Sequence, residues 1–293
     1  MNLQIISKGE YNMKKAKASL AVLLSTSLLF GCAQEKEGTE QADDNAKEVS
    51  ASKLDGVSSE YREYAIGEIE EFVNATEEFT TAVSAGDIEK AKELYAPARM
   101  HYERAEPIAE VFGDLDPKID ARKGDVKDEE WGGYHRIEMG LWQENTTKGY
   151  EKYAEKLMSD VNLLRAKVET VEVTPDLLIT GAVDLLNEVS TSKVTGEEDR
   201  YSHTDMYDFV ANVEGAEKIY ELLTPALKEK DAKLAAEIQQ RFDDVYDLLE
   251  KHKEGDGYIS YTDLKESEVK ELSQAIDALA EPLSQIGIVT EES

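Results

Sequence analysis

Apolar residues recur at intervals of three and four along most of this 293-residue chain, and this spacing constrains the fold more than any other feature. Residues three and four apart share one face of an α-helix, so the pattern predicts amphipathic helices with one buried face. In the first helix the recurring positions are Tyr61, Tyr64, Ala65, Ile69, Phe72, Val73, Thr76, Phe79 and Val83. The same spacing predicts further helices from residue 88 and over about 148–170, 175–190, 205–228, 231–252 and 262–284.

The fold class follows from this repetition. Alternating runs rich in Val and Ile, long enough for a sheet, do not occur in the sequence. The chain is therefore predicted to be all-α and to form antiparallel helix bundles. Helices of about 20 residues span roughly 30 Å, and about seven or eight of them suit two packed bundles better than one. Between the first two helices, Asp87 is predicted to be the N-cap of the second.

The amino-terminal segment has the composition of an export signal. Basic residues at 14, 15 and 17 precede the apolar run "ASLAVLLSTSLLF", which is shorter than the roughly 20 apolar residues of a membrane-spanning helix. The run ends in "LLFGC", which resembles a bacterial lipobox with Cys32 as the residue that is lipidated. Residues 1–31 are thus predicted to be a signal peptide; an ordinary secretory signal or a free thiol is the alternative.

Two further predictions concern the segments on either side of this signal. The codons for "KGEYN" can form a purine-rich ribosome-binding sequence just before Met13, so we expect translation to start at Met13 and residues 1–12 to be absent from the protein. Residues 32–56 contain almost nothing apolar beyond alanine, and such a segment cannot bury enough surface to order itself. We expect it to be a disordered tether between Cys32 and a helical domain over residues 57–293.

The charge of the chain restricts its partners. It has 33 Lys and Arg against 63 Asp and Glu, a formal net charge of −30. Nucleic acid is excluded as an expected partner, because binding phosphates requires a basic surface. Bound cations, or solubility alone, agree better with this charge.

Two pairs of residues have the spacing of a helical metal site. Glu103 and Glu106 are three residues apart, as are His135 and Glu138, and each pair lies on one face of a predicted helix. Asp120 follows a predicted turn between them. Imidazole combined with carboxylates suits iron, manganese or zinc. The alternative is that these residues belong to solvated helix faces, although aromatic residues around His135 favour partial burial there.

Two other features have two interpretations each. His203 and Asp205 are predicted to cap the helix that begins near Thr204, with metal binding as the alternative. Arg122 and Arg136 either neutralise a carboxylate cluster or form solvated ion pairs.

Three blocks of sequence resemble the imelysin-like (peptidase M75-like) family, and within it the iron-uptake lipoproteins of the EfeO/EfeM type. They are "YERAEPIAEVFGDLDPKIDAR", "WGGYHRIEMGLW" and "YSHTDMYDFVANVEGAEKIYELLTP", and the likeness extends from about residue 57 to the end of the chain. The resemblance implies two packed four-helix bundles with a metal cleft between them. It also implies a set of metal ligands, with the HxxE motif at its centre: Glu103, Glu106, Asp120, His135, Glu138 and Glu214.

The resemblance further implies the function of an iron-binding protein on the extracytoplasmic face of the cell membrane, anchored there by lipid. Its cargo would be Fe2+ or Fe3+, for which zinc or another divalent metal can substitute. An EfeU-type iron permease and an EfeB-type haem peroxidase would be its partners. The carboxylates of such a site would repel one another without metal, so replacing Glu103 and Glu106 with Gln is expected to leave the metal-free protein as stable or more stable.

Two other functions were weighed against this one. A metal-dependent peptidase is disfavoured because neither HExxH nor HxxEH occurs, Met139 standing where the second motif needs a His. We therefore do not expect an enzyme. A polysaccharide-binding or structural surface lipoprotein is the third possibility, and the negative charge disfavours an acidic polysaccharide.

Overall fold

The structure is a computed structural model that describes residues 40–291 of the chain, so the predicted signal peptide, the start at Met13 and the lipidated Cys32 lie outside the described residues. The all-α prediction is confirmed. The helices, in chain order, are α1 (Glu40–Ala85), α2 (Ile88–Ala105), α3 (Asp116–Ile119), α4 (Gly133–Glu138), α5 (Glu151–Val168), α6 (Pro175–Thr191), α7 (Asp205–Lys230), α8 (Ala232–Leu249), α9 (Glu266–Leu283) and α10 (Gln285–Glu291).

Short irregular elements connect these helices. They are 3₁₀ turns at Glu106–Leu115, Lys193–Thr195, Glu250–His252 and Tyr261–Asp263, and a π-helical turn at Met139–Gln143. Two strands, β1 (Lys253–Glu254) and β2 (Gly257–Tyr258), pair as an antiparallel hairpin. Among the described residues, no helix has the length and apolar composition needed to cross a membrane.

The start of α1 differs from the sequence prediction. The helix begins at Glu40, so residues 40–56 are helical in the segment predicted as a disordered tether. These residues are rich in Ala, Glu and Lys, which have high helix propensity, and they extend a helix that is anchored further along the chain. The tether as such stays a prediction.

The predicted caps have two different outcomes. Asp87 is the N-cap of α2, its carboxylate accepting a hydrogen bond from the backbone N–H of Lys90 at 3.1 Å, as predicted. The prediction that His203 and Asp205 cap α7 is wrong. Thr204 occupies the N-cap without a capping hydrogen bond from its side chain, and the Asp205 carboxylate accepts from the backbone N–H of Asp199 at 3.2 Å instead.

The helices of the carboxyl-terminal half form a closed ring. α6 contacts α7 and α9, and α8 contacts the same two helices. α2 packs against α7 and so joins the amino-terminal helices to this ring. The division into two four-helix bundles with a cleft between them stays a prediction.

A stack of buried aromatic rings fixes the short helix α4. The Tyr134 ring lies 5.1 Å from the ring of Phe79 and 5.7 Å from that of Phe72, both on α1, and 5.9 Å from that of Tyr95 on α2. Aromatic pairs of this kind contribute about 0.5–1.5 kcal/mol each beyond their burial. The Tyr134 hydroxyl also hydrogen-bonds the Thr76 hydroxyl at 2.7 Å. Since Tyr134 is held on several sides, the orientation of its neighbour His135 is held as well.

Gly133 begins α4 at a position that requires glycine. Its φ is +75°, in the left-handed region, and a Cβ atom there would lie 2.2 Å from the carbonyl oxygen of Ile119. We expect Gly133→Ala to lower the free energy of unfolding by about 3 kcal/mol, from backbone strain and steric overlap together. Urea denaturation followed by circular dichroism measures this. Gly132→Ala is the matched control, because a Cβ at Gly132 has nothing within 4 Å, and an equal effect of both substitutions would contradict the prediction.

Candidate metal centre

Three chain segments bring acidic side chains to His135. Glu138 lies on the same short helix, Asp120 ends α3, and Glu198 and Asp199 come from the loop before α7. The His135 Nδ1 atom lies 3.2 Å from an oxygen of Glu138 and 3.8 Å from one of Asp199. Its Nε2 atom lies 3.6 Å from an oxygen of Asp120 and 3.6 Å from one of Glu198. The ring therefore has two carboxylates at each nitrogen.

These contacts form two groups that have the dimensions of a metal site. The possible ligand atoms of Asp120, His135 and Glu198 all lie within 4.8 Å of one another, and so do those of His135, Glu138 and Asp199. The structure thus brings together three of the predicted ligands, His135, Glu138 and Asp120. Imidazole and carboxylate groups are the ligands that iron, manganese and zinc take in proteins.

The Nε2 atom of His135 gives a further indication of a ligand. His135 is 1% exposed, and Nε2 has no hydrogen-bond partner within the part of the chain that the structure describes. Leaving a buried polar atom without a partner costs about 1–3 kcal/mol. A cation held between Asp120 and Glu198 would bind this nitrogen and remove that cost.

Glu138 is fixed by hydrogen bonds from the opposite segment. Its Oε1 atom accepts from the backbone N–H groups of Tyr201 and Ser202, each at 2.8 Å, and from the Ser202 hydroxyl at 3.0 Å. Burial raises the pKa of Glu138, but hydrogen bonds from His135 and from these N–H groups outweigh it and lower the pKa. Glu138 is consequently a preoriented carboxylate whose Oε2 atom faces His135.

The carboxylates control the charge of the imidazole. Burial and the positive charge of Arg99 lower the pKa of His135, yet the hydrogen bond with Glu138 and the nearby carboxylates of Glu198 and Asp120 raise it to about 10. At neutral pH the metal-free protein therefore holds a protonated His135. A metal ion can bind this residue only by displacing the proton, so binding is expected to release it.

Asp120 shows the crowding of like charges that the sequence predicted. Burial and the nearby carboxylates Glu103 and Glu198 raise the pKa of Asp120 to about 7, although Arg99 lowers it. Protons thus compete with a cation at this carboxylate near neutral pH.

A buried arginine lies on the far side of the same carboxylates. Arg99, on α2, is 1% exposed, and its Nη1 atom donates to Asp120. The guanidinium also contacts four other carboxylates, which are Glu103 at 2.6 Å, Asp208 at 3.3 Å, Glu198 at 3.6 Å and Asp199 at 3.7 Å. This permanent cation compensates part of the negative charge around His135.

Glu103 and Glu106 are placed beside this group and bind a second buried cation. The Lys193 Nζ atom donates to both glutamates at 2.8 Å, and the Asn212 amide donates to them at 2.9 and 2.8 Å. Burial raises the pKa of Glu103, but Lys193 and Arg99 outweigh it and lower the pKa to about 2. Burial and the charge of Glu103 raise the pKa of Glu106 well above its usual value. Lys193 already pairs with both glutamates, and their role as metal ligands stays a prediction.

Glu214 is a further predicted ligand that the structure does not bring to His135. Its carboxylate accepts a hydrogen bond from the Arg104 Nε atom at 2.6 Å and is 35% exposed. Two residues correspond to about 200° around a helix, so Glu214 points away from the face of α7 on which Asn212 meets Glu103.

Sequence reasoning missed several residues of the site. Glu198 and Asp199 lie in a loop, "TGEEDRYSHT", whose acids show no periodicity, so no sequence signal separates them from the surface acids. A signal existed for the helical members, because Arg99 and Glu103 on α2, and Asp208 and Asn212 on α7, are each four residues apart. Of the two interpretations of Arg122, neutralisation of the cluster is confirmed by its hydrogen bond to Glu198 at 2.9 Å.

A cavity next to the site offers a route for ions. It has a volume of about 190 Å³, and its lining includes Asp120 and Glu198 together with Glu106, Asp116 and Glu188. A neighbouring cavity of about 240 Å³ shares the last three of these carboxylates. Arg122 also lines the first cavity, but acidic residues predominate in both. A predominantly acidic passage raises the local concentration of cations, so these cavities favour entry of a cation.

Comparison with known proteins identifies the family of this chain. Residues 57–286 match the family model for peptidase M75, described as Imelysin. The chain is 49% identical over 284 residues to an Efem/EfeO family lipoprotein of Staphylococcus haemolyticus (strain JCSC1435), covering 92% of this chain and 98% of the relative. It is 48% identical over 255 residues to an Efem/EfeO family lipoprotein of Staphylococcus aureus (strain NCTC 8325 / PS 47). This match covers 83% of this chain and 90% of the relative. The chain therefore belongs to the imelysin (peptidase M75) family.

Proposed function

We propose that this protein is a lipid-anchored, extracytoplasmic iron-binding protein that captures iron and delivers it to a membrane permease of an Efe-type uptake system. The observation that carries the proposal is the buried His135, whose Nε2 atom has no hydrogen-bond partner in the described structure and lies between two carboxylates. The names of its relatives, Efem/EfeO family lipoproteins, support the uptake system.

The proposed ligands are His135, Glu138 and Asp120, joined by Glu198 and Asp199. Carboxylates of the adjoining cavity attract the ion, and His135 loses its proton as the ion binds. Glu138 is already held by backbone N–H groups, so little side-chain entropy is lost when it coordinates. We retain Glu103 and Glu106 as predicted ligands, although both already pair with Lys193. Glu214 has the weakest support.

We propose a binding protein in preference to a metal-dependent peptidase. A catalytic zinc site keeps a coordination position open for water beside a general base. The sequence has neither HExxH nor HxxEH, the helical motifs that supply such a site in metallopeptidases, and the relatives carry the name of lipoproteins. The net charge of −30 likewise disfavours binding of an acidic polysaccharide.

A titration combined with a digest tests this function. Purified metal-free protein is titrated with Fe2+, Fe3+ and Zn2+, and the loaded protein is incubated with casein. We expect iron to bind, zinc to compete for the same site, and casein to remain intact. Casein cleavage that is lost in His135→Ala would instead identify a peptidase.

The proposed partners are an EfeU-type iron permease and an EfeB-type haem peroxidase. The neighbouring genes provide the first test, because components of one uptake system are commonly encoded together. Binding of iron by the protein, without either gene in the genome, would support capture of iron but contradict delivery through this system.

Replacing Cys32 with Ser is expected to release the protein from the membrane. Cys32 is the only cysteine of the chain, and it ends the predicted lipobox. We expect Cys32→Ser to move the protein from the membrane fraction to the soluble fraction, with an unchanged circular dichroism spectrum. Retention of the variant on membranes would contradict the lipid anchor.

A further inference from the structure

Three carboxylates of the site are shared between His135 and Arg99. Asp120 and Glu198 each lie 3.6 Å from the His135 ring, and Asp199 lies 3.8 Å from it. The same three side chains contact the Arg99 guanidinium, Asp120 through a hydrogen bond and the other two at 3.6 and 3.7 Å. The imidazole and the guanidinium thus face one set of acids from two sides.

Arg99 is fixed in this position by residues that do not contact His135. Its Nη2 atom donates to Glu103 at 2.6 Å and to Asp208 at 3.3 Å. Its Nε atom has no hydrogen-bond partner among the described residues, although it faces Asp199. The guanidinium is therefore anchored by Glu103, Asp208 and the shared Asp120, while its contacts with the other two shared carboxylates, Glu198 and Asp199, remain long.

We propose that Arg99 is a resident cation that competes with the captured metal ion for Asp120, Glu198 and Asp199, and so keeps the ion releasable. This inference rests on the proposed function and deepens it. An ion bound at His135 would draw on the same three carboxylates, and its charge would be repelled by a guanidinium within a few ångströms. When the ion leaves, Arg99 compensates the carboxylates.

The chemistry of arginine suits this role. A guanidinium keeps its charge at every physiological pH. The site therefore always contains one cation that opposes the ion. A protein that must give up its cargo requires such a limit on affinity.

The test is Arg99→Gln, which keeps hydrogen-bond donors and removes the charge. We expect the metal-free variant to melt at a lower temperature than the wild type, because its carboxylates lose their counter-ion. We also expect iron to bind at least ten-fold more tightly, equivalent to about 1.4 kcal/mol, and to be withdrawn more slowly by a chelator. A purely structural role for Arg99 would weaken binding or leave it unchanged.

Arg165→Gln is the matched control, because Arg165 also forms ion pairs with two acids, Glu70 and Glu169, and neither of them is a predicted ligand. Its iron affinity should equal that of the wild type. Should Arg99→Gln fail to fold, the double variant Arg99→Gln/Asp208→Asn removes one charge of each sign. This double variant should bind iron more tightly than Asp208→Asn alone.

The outcomes separate this inference from the proposed function. If the wild type binds no iron, the proposed function fails, and the inference fails with it. If the wild type binds iron and the folded Arg99 variants bind it equally or more weakly, the inference alone is overturned.

Discussion

Replacing His135 with Ala should weaken iron binding at least about 100-fold. Losing a residue that only hydrogen-bonds to a metal ligand costs up to about 100-fold in affinity, and His135 is itself a proposed ligand. Glu138→Ala should have an effect of similar size, because it removes a preoriented carboxylate and part of the charge that compensates the ion. Both residues are buried at 0–1% exposure, and they lie 3.2 Å apart. Titration of the metal-free variants with iron measures the loss.

The control for this experiment is His101→Ala. His101 lies on α2 and pairs with Glu68 at 2.9 Å, so its loss should leave iron binding unchanged. Circular dichroism should show the helical content of the wild type in all three variants. Unchanged affinity and stoichiometry in both His135→Ala and Glu138→Ala would end the assignment of the HxxE motif as the site.

The second large effect should come from Glu103→Gln combined with Glu106→Gln. Each glutamate accepts a hydrogen bond from Lys193 at 2.8 Å, and Lys193 is 1% exposed. Breaking a buried ion pair leaves an uncompensated charge and costs about 3–5 kcal/mol. We therefore expect the metal-free double variant to be less stable than the wild type by about this amount, the opposite of what like-charge repulsion alone predicted.

The pH of this measurement follows from the pKa of Glu103. Its pKa is lowered to about 2 in the folded protein, so its stabilising contribution is complete above the unfolded pKa and is lost as the pH falls toward 2. Urea denaturation at pH 7 thus measures the full effect. Adding Lys193→Met should restore much of the stability, because it removes the unpaired charge. A double variant as stable as the wild type would contradict the ion-pair interpretation.

The triple variant Glu103→Gln/Glu106→Gln/Lys193→Met also tests whether Glu103 and Glu106 bind metal. If they are ligands, the rise in melting temperature caused by iron should disappear when both are Gln. If Lys193 keeps them from the ion, the rise should persist, and the ligands are those around His135 alone.

How far the sequence predicted this site depends on the kind of element each residue occupies. The helices were predictable because apolar spacing is a local property, and His135 with Glu138 was predictable because one short helix carries both. Glu198 was not predictable from the sequence. It lies in the loop before α7, and this loop reaches the site only because α7 packs against α2.

Glu214 illustrates the opposite limit. The resemblance selected an acid in the correct helix, but helix geometry places Asn212, two residues earlier, on the face that meets Glu103. Arg99 was missed because sequence patterns draw attention to possible ligands and not to the cations that compensate them.

The separation in sequence between Glu138 and the loop that carries Glu198 has a consequence for the mechanics of the chain. About 60 residues, including α5 and α6, lie between these two proposed ligands. An ion coordinated by both would act as a reversible cross-link, which opposes unfolding because the ion must be released before the two segments separate. Cys32 is the only cysteine, so no intrachain disulfide can serve this purpose. The loaded protein should therefore resist proteolysis more than the empty one, so the lifetime of the protein among proteases would depend on whether an ion is bound.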